Sequence, residues 1–450
     1  MATNRITYGQ SAIAISQPPA NSDNTSSLTG LKRVQSASID FTFARERFKQ
    51  IGSPDFVGQV QLRNADIGLT VDYLYSNGTN EAMMGLNVNG EDGTALKYIK
   101  KENQDRNYYI LMGTGDNQEP NLNSIFKNKF NVMALGNVFL ESYGLSASVG
   151  SPVAVSSNLS AYNVVMNEYN DSTNGETIPA IDTTKVGPGE PVLDKNYKIT
   201  SDVFQNTTNR DGNIHSAFSA GDIELILANV NEPGIEFTGS NPVRSASINS
   251  LNIDFSIERT DLYGLGSMYP YGKRAVLPIL GTLNFSALAT EFTSGNLNEF
   301  LSGKNDYNFT FNLKDHCSGI TGLQLKVENA QLDSQGLSDS LGDNASITAS
   351  FGFSMSDVSG LKVSTPPLIV NQPVSAASAG DTLYVQPTGK TSGGAAYNAD
   401  GFKYEWYKNG SSFGSNQRSV TTSSPAGPDD YYVVVSNELG SATSNTSTVS

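Results

Sequence analysis

Val34-Gln35-Ser36-Ala37-Ser38-Ile39-Asp40-Phe41-Thr42-Phe43 recurs 214 residues later as Ile248-Asn249-Ser250-Leu251-Asn252-Ile253-Asp254-Phe255-Ser256-Ile257. The same offset carries Arg45 to Arg259 and Ile51-Gly52-Ser53 to Leu265-Gly266-Ser267, with no gap. Apolar and polar residues alternate in both copies, which is the period of a half-buried β-strand, and a Gly-Ser turn follows each. A second matched pair lies further along: Asn137 to Gly150 against Asn329 to Gly342, with Asn, Leu, Ser, Gly, Leu, Ser, Ser and Gly in step. Two matched pairs in the same order establish a tandem duplication.

Working outward, each copy predicts six or seven short strands and one short helix. In the first, strands are expected at Val57 to Leu62, Ile67 to Leu74, Tyr108 to Met112 and Val153 to Tyr162. The second offers Leu283 to Ala289, Tyr307 to Leu313 and Ala345 to Phe353. Asn77-Gly78 marks a turn, and Thr79 or Asn80 is placed to cap a short helix whose counterpart begins near Asn298-Glu299. There the offset has grown to 218, which implies a four-residue loop insertion. Residues 1–30 read as an arm with one strand, faintly echoed at Gly221 to Pro233. Residues 166–216, rich in Asn, Asp, Thr, Gly and Pro, read as a long connection between the copies. The expected organisation is 1–165 for the first repeat with its arm, 166–216 for the connection and 217–363 for the second repeat. Each repeat suits a small β-barrel or tightly curled β-sandwich, and the fold class is all-β.

A composition break at Ser364 to Pro373, with Pro366, Pro367 and Pro373, opens a last region, 364–450. It contains Phe402 to Gly410 with the only tryptophan, Trp406, and a second strand, Tyr431 to Asn437. This region resembles an immunoglobulin-like β-sandwich. Trp406 matches that family's buried tryptophan and Tyr431 its tyrosine corner. Val433 stands where a disulfide cysteine is common, and Leu383 or Val385 stands for the missing partner.

The 450 residues carry a net charge of −15. Only four basic and six acidic residues lie from Ser364 onward, which leaves 25 of the 29 basic and 38 of the 44 acidic residues in the duplicated body. Such a surface repels a phosphate backbone, so specific nucleic-acid binding is not expected; a surface past which DNA slides would carry this charge. The one cysteine, Cys317, excludes an intrachain disulfide. No secretion signal is read at Met1 to Pro19 and no run is long and apolar enough for a membrane span.

Catalytic patterns are sparse. The only histidines are His215, in an Asn/Gly-rich loop, and His316, beside Cys317. Adjacent strand residues point to opposite faces, and one Cys with one His falls short of a zinc site. Gly113-Thr114-Gly115-Asp116 reads as a turn and not as a phosphate-binding loop. Asn167 to Glu176 offers acidic loop residues that would at most hold a cation weakly. Asp40/Asp254 and Glu81/Glu299 recur once per repeat, too far apart for a pair of carboxylates across one cleft, and read as structural or as subunit contacts. No catalytic, cofactor-binding or metal-ligating residue is assigned, no cofactor is expected, and an enzyme is not.

The runs Val-Gln-Ser-Ala-Ser-Ile-Asp-Phe, Ile-Gly-Ser and Tyr-x-x-Ser-Asn-Gly-Thr-Asn-Glu resemble structural proteins of tailed bacteriophages. A duplicated all-β body followed by an immunoglobulin-like module is similar to a fused-dimer form of the major tail tube protein. That resemblance implies self-assembly into stacked, pseudo-hexameric rings of three copies around a DNA conduit. It implies contacts with other tail proteins, residues 1–30 and 166–216 as arms between rings, and the terminal module as external decoration. The location implied is the virion tail, after synthesis in the host cytoplasm. A capsid decoration or baseplate protein, and a glycan-binding surface adhesin, remain the competing readings.

Overall fold

The computed structural model describes residues 6–16, 28–43, 45–61, 65–99, 105–114, 130–169, 177–179, 196–198, 217–229, 245–263, 270–288, 306–316, 319–338, 346–356, 359–373, 376–387, 402–423 and 428–449. His215, Cys317, Asn298-Glu299 and Asn170 to Glu176 lie outside them.

The first part contains β1 (Ile6–Ile15), β2 (Thr29–Gly30), β3 (Val34–Thr42), β4 (Arg45–Lys49), β5 (Phe56–Gln61), β6 (Asp66–Leu74), α1 (Thr79–Met84), β7 (Arg106–Thr114), β8 (Phe130–Ser148), β9 (Ala154–Ala161) and β10 (Asn163–Tyr169). Two short strands follow, β11 (Thr177–Pro179) and β12 (Asn196–Lys198). The second part contains β13 (Ala220–Asn229), β14 (Ser245–Ser247), β15 (Ser250–Ser256), β16 (Arg259–Tyr263), β17 (Pro270–Ala275), β18 (Ile279–Leu288), β19 (Tyr307–Asp315), β20 (Thr321–Ser338), β21 (Ser346–Met355) and β22 (Leu361–Ser364).

The pairing repeats as the sequence does. β3–β6–β9–β8 has its counterpart in β15–β18–β21–β20, and β1–β7–β8 in β13–β19–β20. The hairpins β4–β5 and β16–β17 also correspond, and β1 and β13 share the 214-residue offset at both ends. The faint echo of the arm strand is therefore a full structural equivalent. The sequence reading missed β4, β16 and β17, because charged and turn-forming residues interrupt their alternation. Gly113 and Thr114 end a strand instead of forming a turn, and Asn167 lies in β10.

Alternation sets the burial. Ile67, Leu69, Val71 and Tyr73 on β6, and Leu251, Ile253 and Phe255 on β15, point into one hydrophobic core that runs through both repeats. Of the two expected forms, the sandwich fits: among the described residues neither repeat closes into a barrel. β15 pairs with β18 on one side and with β8 of the first repeat on the other, and this joins the repeats into one open sheet. A barrel needs its last strand to return to its first, and here that position is taken by the neighbouring repeat.

α1 begins after Gly78, which takes the N-cap position in left-handed backbone (φ 76°) without a side-chain cap, so neither Thr79 nor Asn80 caps the helix. Asn80 instead exchanges hydrogen bonds with the Lys32 backbone at 2.8 and 2.7 Å.

The C-terminal region comprises β23 (Ile369–Asn371), β24 (Ala376–Ala377), β25 (Thr382–Tyr384), β26 (Gln386–Pro387), β27 (Lys403–Lys408), β28 (Ser411–Ser412), β29 (Ser419–Thr421), β30 (Asp429–Asn437), β31 (Gly440–Thr443) and β32 (Ser447–Val449). Its own core contains Leu383, Val385, Trp406, Tyr431 and Val433, so apolar packing stands where a disulfide was absent. Trp406 donates to the Gln417 carbonyl at 2.8 Å, and the Tyr431 hydroxyl accepts from the Ser423 amide at 3.3 Å, the bond expected of a tyrosine corner.

Candidate assembly surface

The junction between the repeats shows what this fold does with an edge. β15 lies antiparallel to the second half of β8, with Phe255 opposite Tyr143, Ile253 opposite Leu145 and Leu251 opposite Ala147. Tyr143 and Phe255 stack with ring centroids 5.6 Å apart. The hairpin β16–β17 then reaches over the first repeat. Arg259 donates to the carbonyls of Leu140 (3.3 Å) and Ile99 (3.1 Å) and lies 5.1 Å from the Phe139 ring centroid. Burial lowers the Arg259 pKa to about 10, opposed by the nearby Glu141 carboxylate. Lys273 donates to Ser160 Oγ at 2.7 Å and lies 3.6 Å from Glu141 and 3.8 Å from Asp261.

The same two edges occur once more, uncovered. Among the described residues, β3 pairs only with β6, and the second half of β20 only with β21. The consequence is visible residue by residue. Phe41 is 43% exposed and its counterpart Phe255 3%; Phe43 is 51% exposed and its counterpart Ile257 1%. Phe48, Phe56, Val57 and Val60 of the β4–β5 hairpin are likewise about half exposed, and Ile51 at its tip is fully so. Isolated exposed apolar residues are ordinary, but a contiguous set on one strand end and hairpin marks an interaction surface. Arg45 and Lys49 sit over the Phe43 and Phe56 rings at 5.3 and 5.2 Å.

The opposite face of the sheet is polar across the junction. Ser36 and Ser156 donate to the two oxygens of Asp72 at 2.6 and 2.7 Å, Thr282 donates to Asp254 at 2.7 Å, and Asn158 bridges Thr70 and Ser142. Asp40 lies on the same face, opposite Gly68. None of β3, β6, β8, β9, β15, β18 and β21 contains a lysine or arginine. A shallow groove of about 460 Å³ crosses the junction here, between Asp72 and Asp254.

The recurring acids therefore separate. Asp40 and Asp254 are equivalent and solvent-facing. Glu81 is buried, accepts hydrogen bonds from Tyr73 (2.8 Å) and Tyr143 (3.3 Å), and has its pKa raised to about 7 by loss of solvent. His316 is exposed. Among the described residues no three His, Cys, Asp or Glu side chains are placed to hold a metal, and no helix is long and apolar enough to cross a membrane.

The terminal module is fastened to the body through the β30–β31 turn. Lys326 of the second repeat bonds both oxygens of Glu438 at 2.8 and 3.0 Å, Asn437 donates to the Thr365 carbonyl at 2.7 Å, and the Glu438 amide donates to Glu91 of the first repeat at 3.2 Å.

No family model and no curated protein sequence matches the chain. Among solved structures it is similar to the anti-feeding prophage cap, described as a tube-terminating cap, at 11% identity over 38% of this chain and 95% of that one, TM-score 0.26. It is similar to the tail of an empty GTA particle at 15% identity over 31% and 93%, TM-score 0.21. It is also similar to the tandem Ig repeats of Dlar at 11% identity over 29% and 89%, TM-score 0.14.

Proposed function

We propose that this chain is a virion structural protein of a bacteriophage tail, the major tube subunit, and that three copies form a ring of six similar repeats. One observation carries the reading: the β3 edge and the β20 edge, which among the described residues pair with no further strand, are counterparts of the two strands joined at the internal junction. A contact between two different edges of the same molecule is heterologous, and repetition of such a contact closes a ring when its rotation divides a full turn. Burying what remains exposed of Phe41 and Phe43 would contribute about 1 kcal/mol each.

The sheet face free of lysine and arginine is the natural lining of such a ring. Its carboxylates and hydroxyls repel or hydrate phosphates without binding them, as a DNA conduit requires. The terminal module, held by its β30–β31 turn, would stand as decoration. The role is structural and needs no catalytic group.

Negative-stain electron microscopy of the purified full-length protein tests this. Rings or hollow tubes with about six-fold projections are expected. A protein that stays monomeric across concentration and salt overturns the reading.

A further inference from the structure

The internal junction is held by a charge arrangement that changes in a compensated way at the free edges. Asp261 and Lys273 are cross-strand partners in the β16–β17 hairpin, and Lys273 faces Glu141 of the first repeat at 3.6 Å. The 214-residue offset carries these hairpin positions to Arg47 and Gln59, which are cross-strand partners in β4–β5. The 192-residue offset between Asn137 and Asn329 carries Glu141 to Asp333. Glu141 and Asp333 also occupy the same irregularity. The β8–β9 register shifts between Leu140 and Ser142, and the β20–β21 register shifts between Leu332 and Ser334.

The receiving strand thus keeps its acid, while the hairpin keeps a cation in this cross-strand pair but moves it to the neighbouring strand. Directly opposed residues of an antiparallel pair have Cβ atoms about 5 Å apart, a distance the long arginine side chain spans. The aromatic part of the junction is not kept. Phe139, Tyr143 and Tyr162 become Gln331, Gln335 and Ser354.

We infer that Arg47 of one copy pairs with Asp333 of the next, and that this ion pair carries much of the specificity of the contact between copies. The inference rests on the ring reading above and names the partner, a second copy of this chain, and its contact residues. The junction inside the chain is aromatic and permanent. The junction between copies sets the apolar β3 edge and hairpin, with Phe41 and Phe43, against a receiving strand that has lost its aromatic side chains, and its charge pair makes it weaken with salt.

Sedimentation velocity at low salt of the full-length protein, Arg47→Glu, Asp333→Arg and the double charge swap tests it. Each single variant should raise the concentration for half-assembly about tenfold or more, and the swap should return it to within about threefold of the parent. Melting temperatures of the dilute variants should match the parent, since both positions are exposed. Single variants that assemble like the parent, or a swap no better than its worse component, overturn the pairing while leaving the ring reading in place. A parent protein that never assembles overturns both.

Discussion

Asn137 and Asn329 both turn the chain through left-handed backbone, with φ of 51° and 57°. Each donates its amide to an asparagine on the preceding strand, Asn137 to Asn107 Oδ1 at 3.2 Å and Asn329 to Asn308 Oδ1 at 3.0 Å. At these two points the long strands β8 and β20 change partners. β8 pairs with β10 up to Gly136 and with β7 up to Val138, then with β9 from Phe139 and with β15 from Ser142. Asparagine tolerates this conformation better than residues with larger or branched side chains.

Replacement of Asn329 by valine should therefore destabilise the protein by about 2 kcal/mol, and replacement by glycine by less than about 1 kcal/mol. Urea unfolding of the dilute protein reads the difference. Equal losses for valine and glycine would mean that the backbone turn is not the cause.

The buried carboxyl of Glu81 predicts a pH dependence. Its pKa in the fold, about 7, lies above the unfolded value of 4.5, so the fold prefers the protonated form. The associated stability is complete below pH 4.5 and is lost as pH rises toward 7, by about 3 kcal/mol in all. Glu81→Gln should remove that slope and be the more stable form at pH 8. Parallel stability curves for the two proteins between pH 5 and 8 would contradict this assignment.

Tyr143 and Phe255, stacked at 5.6 Å, should behave differently from the exposed Phe41. Phe255→Ala should cost about 3–5 kcal/mol of folding stability. Phe41→Ser should cost less than about 1 kcal/mol yet suppress assembly. Comparing melting temperature with particle yield separates folding from association, and loss of both on changing Phe41 would place it in the fold's core requirement.

The proposed ring predicts that the internal register is repeated at the edges of β3 and β20. Ser256 opposes Ser142 across the junction, so Thr42 of one copy should oppose Ser334 of the next. Thr42→Cys with Ser334→Cys, in a Cys317→Ser background, should oxidise to covalent trimers running as closed species in denaturing gels. A ladder of mixed sizes, or no cross-link in assembled rings, would reject this register.

Glu438 fastens the terminal module through partly exposed partners, so its ion pair with Lys326 should be worth only about 0.5–1 kcal/mol. Glu438→Ala should speed protease cleavage in 364–373 several-fold while the melting of the Trp406-containing core is unchanged. Unaltered cleavage would show that the other turn contacts suffice.

Much of the fold was legible because it is written twice. Period-2 alternation at Ile39-Asp40-Phe41 and Ile253-Asp254-Phe255 is local, and local pattern predicts strands. The Trp406 and Tyr431 pattern was legible for the same reason. β5 was legible as Val57 to Leu62, but β4 and the β16–β17 hairpin were not, although Arg45 and Arg259 sat on the constant offset. Their short strands bury little in the first copy, so no alternation marks them. Asp261, Lys273 and Glu141 come from three separate strands, and no spacing in the sequence announces their meeting.

The sequence by itself determined the duplication, the alternating strands, the acidic charge and the composition break at Ser364 to Pro373. Those properties are sums of local choices. The tertiary structure alone decided which copies of an edge are covered. Phe41 and Phe255 are the same residue in nearly the same local sequence, yet one is 43% exposed and the other 3%. The difference lies in what stands beside each strand. β8 of the same chain lies against β15, whereas among the described residues nothing lies against the outer edge of β3. Burial depends on a neighbour far away in sequence, and local pattern cannot encode it.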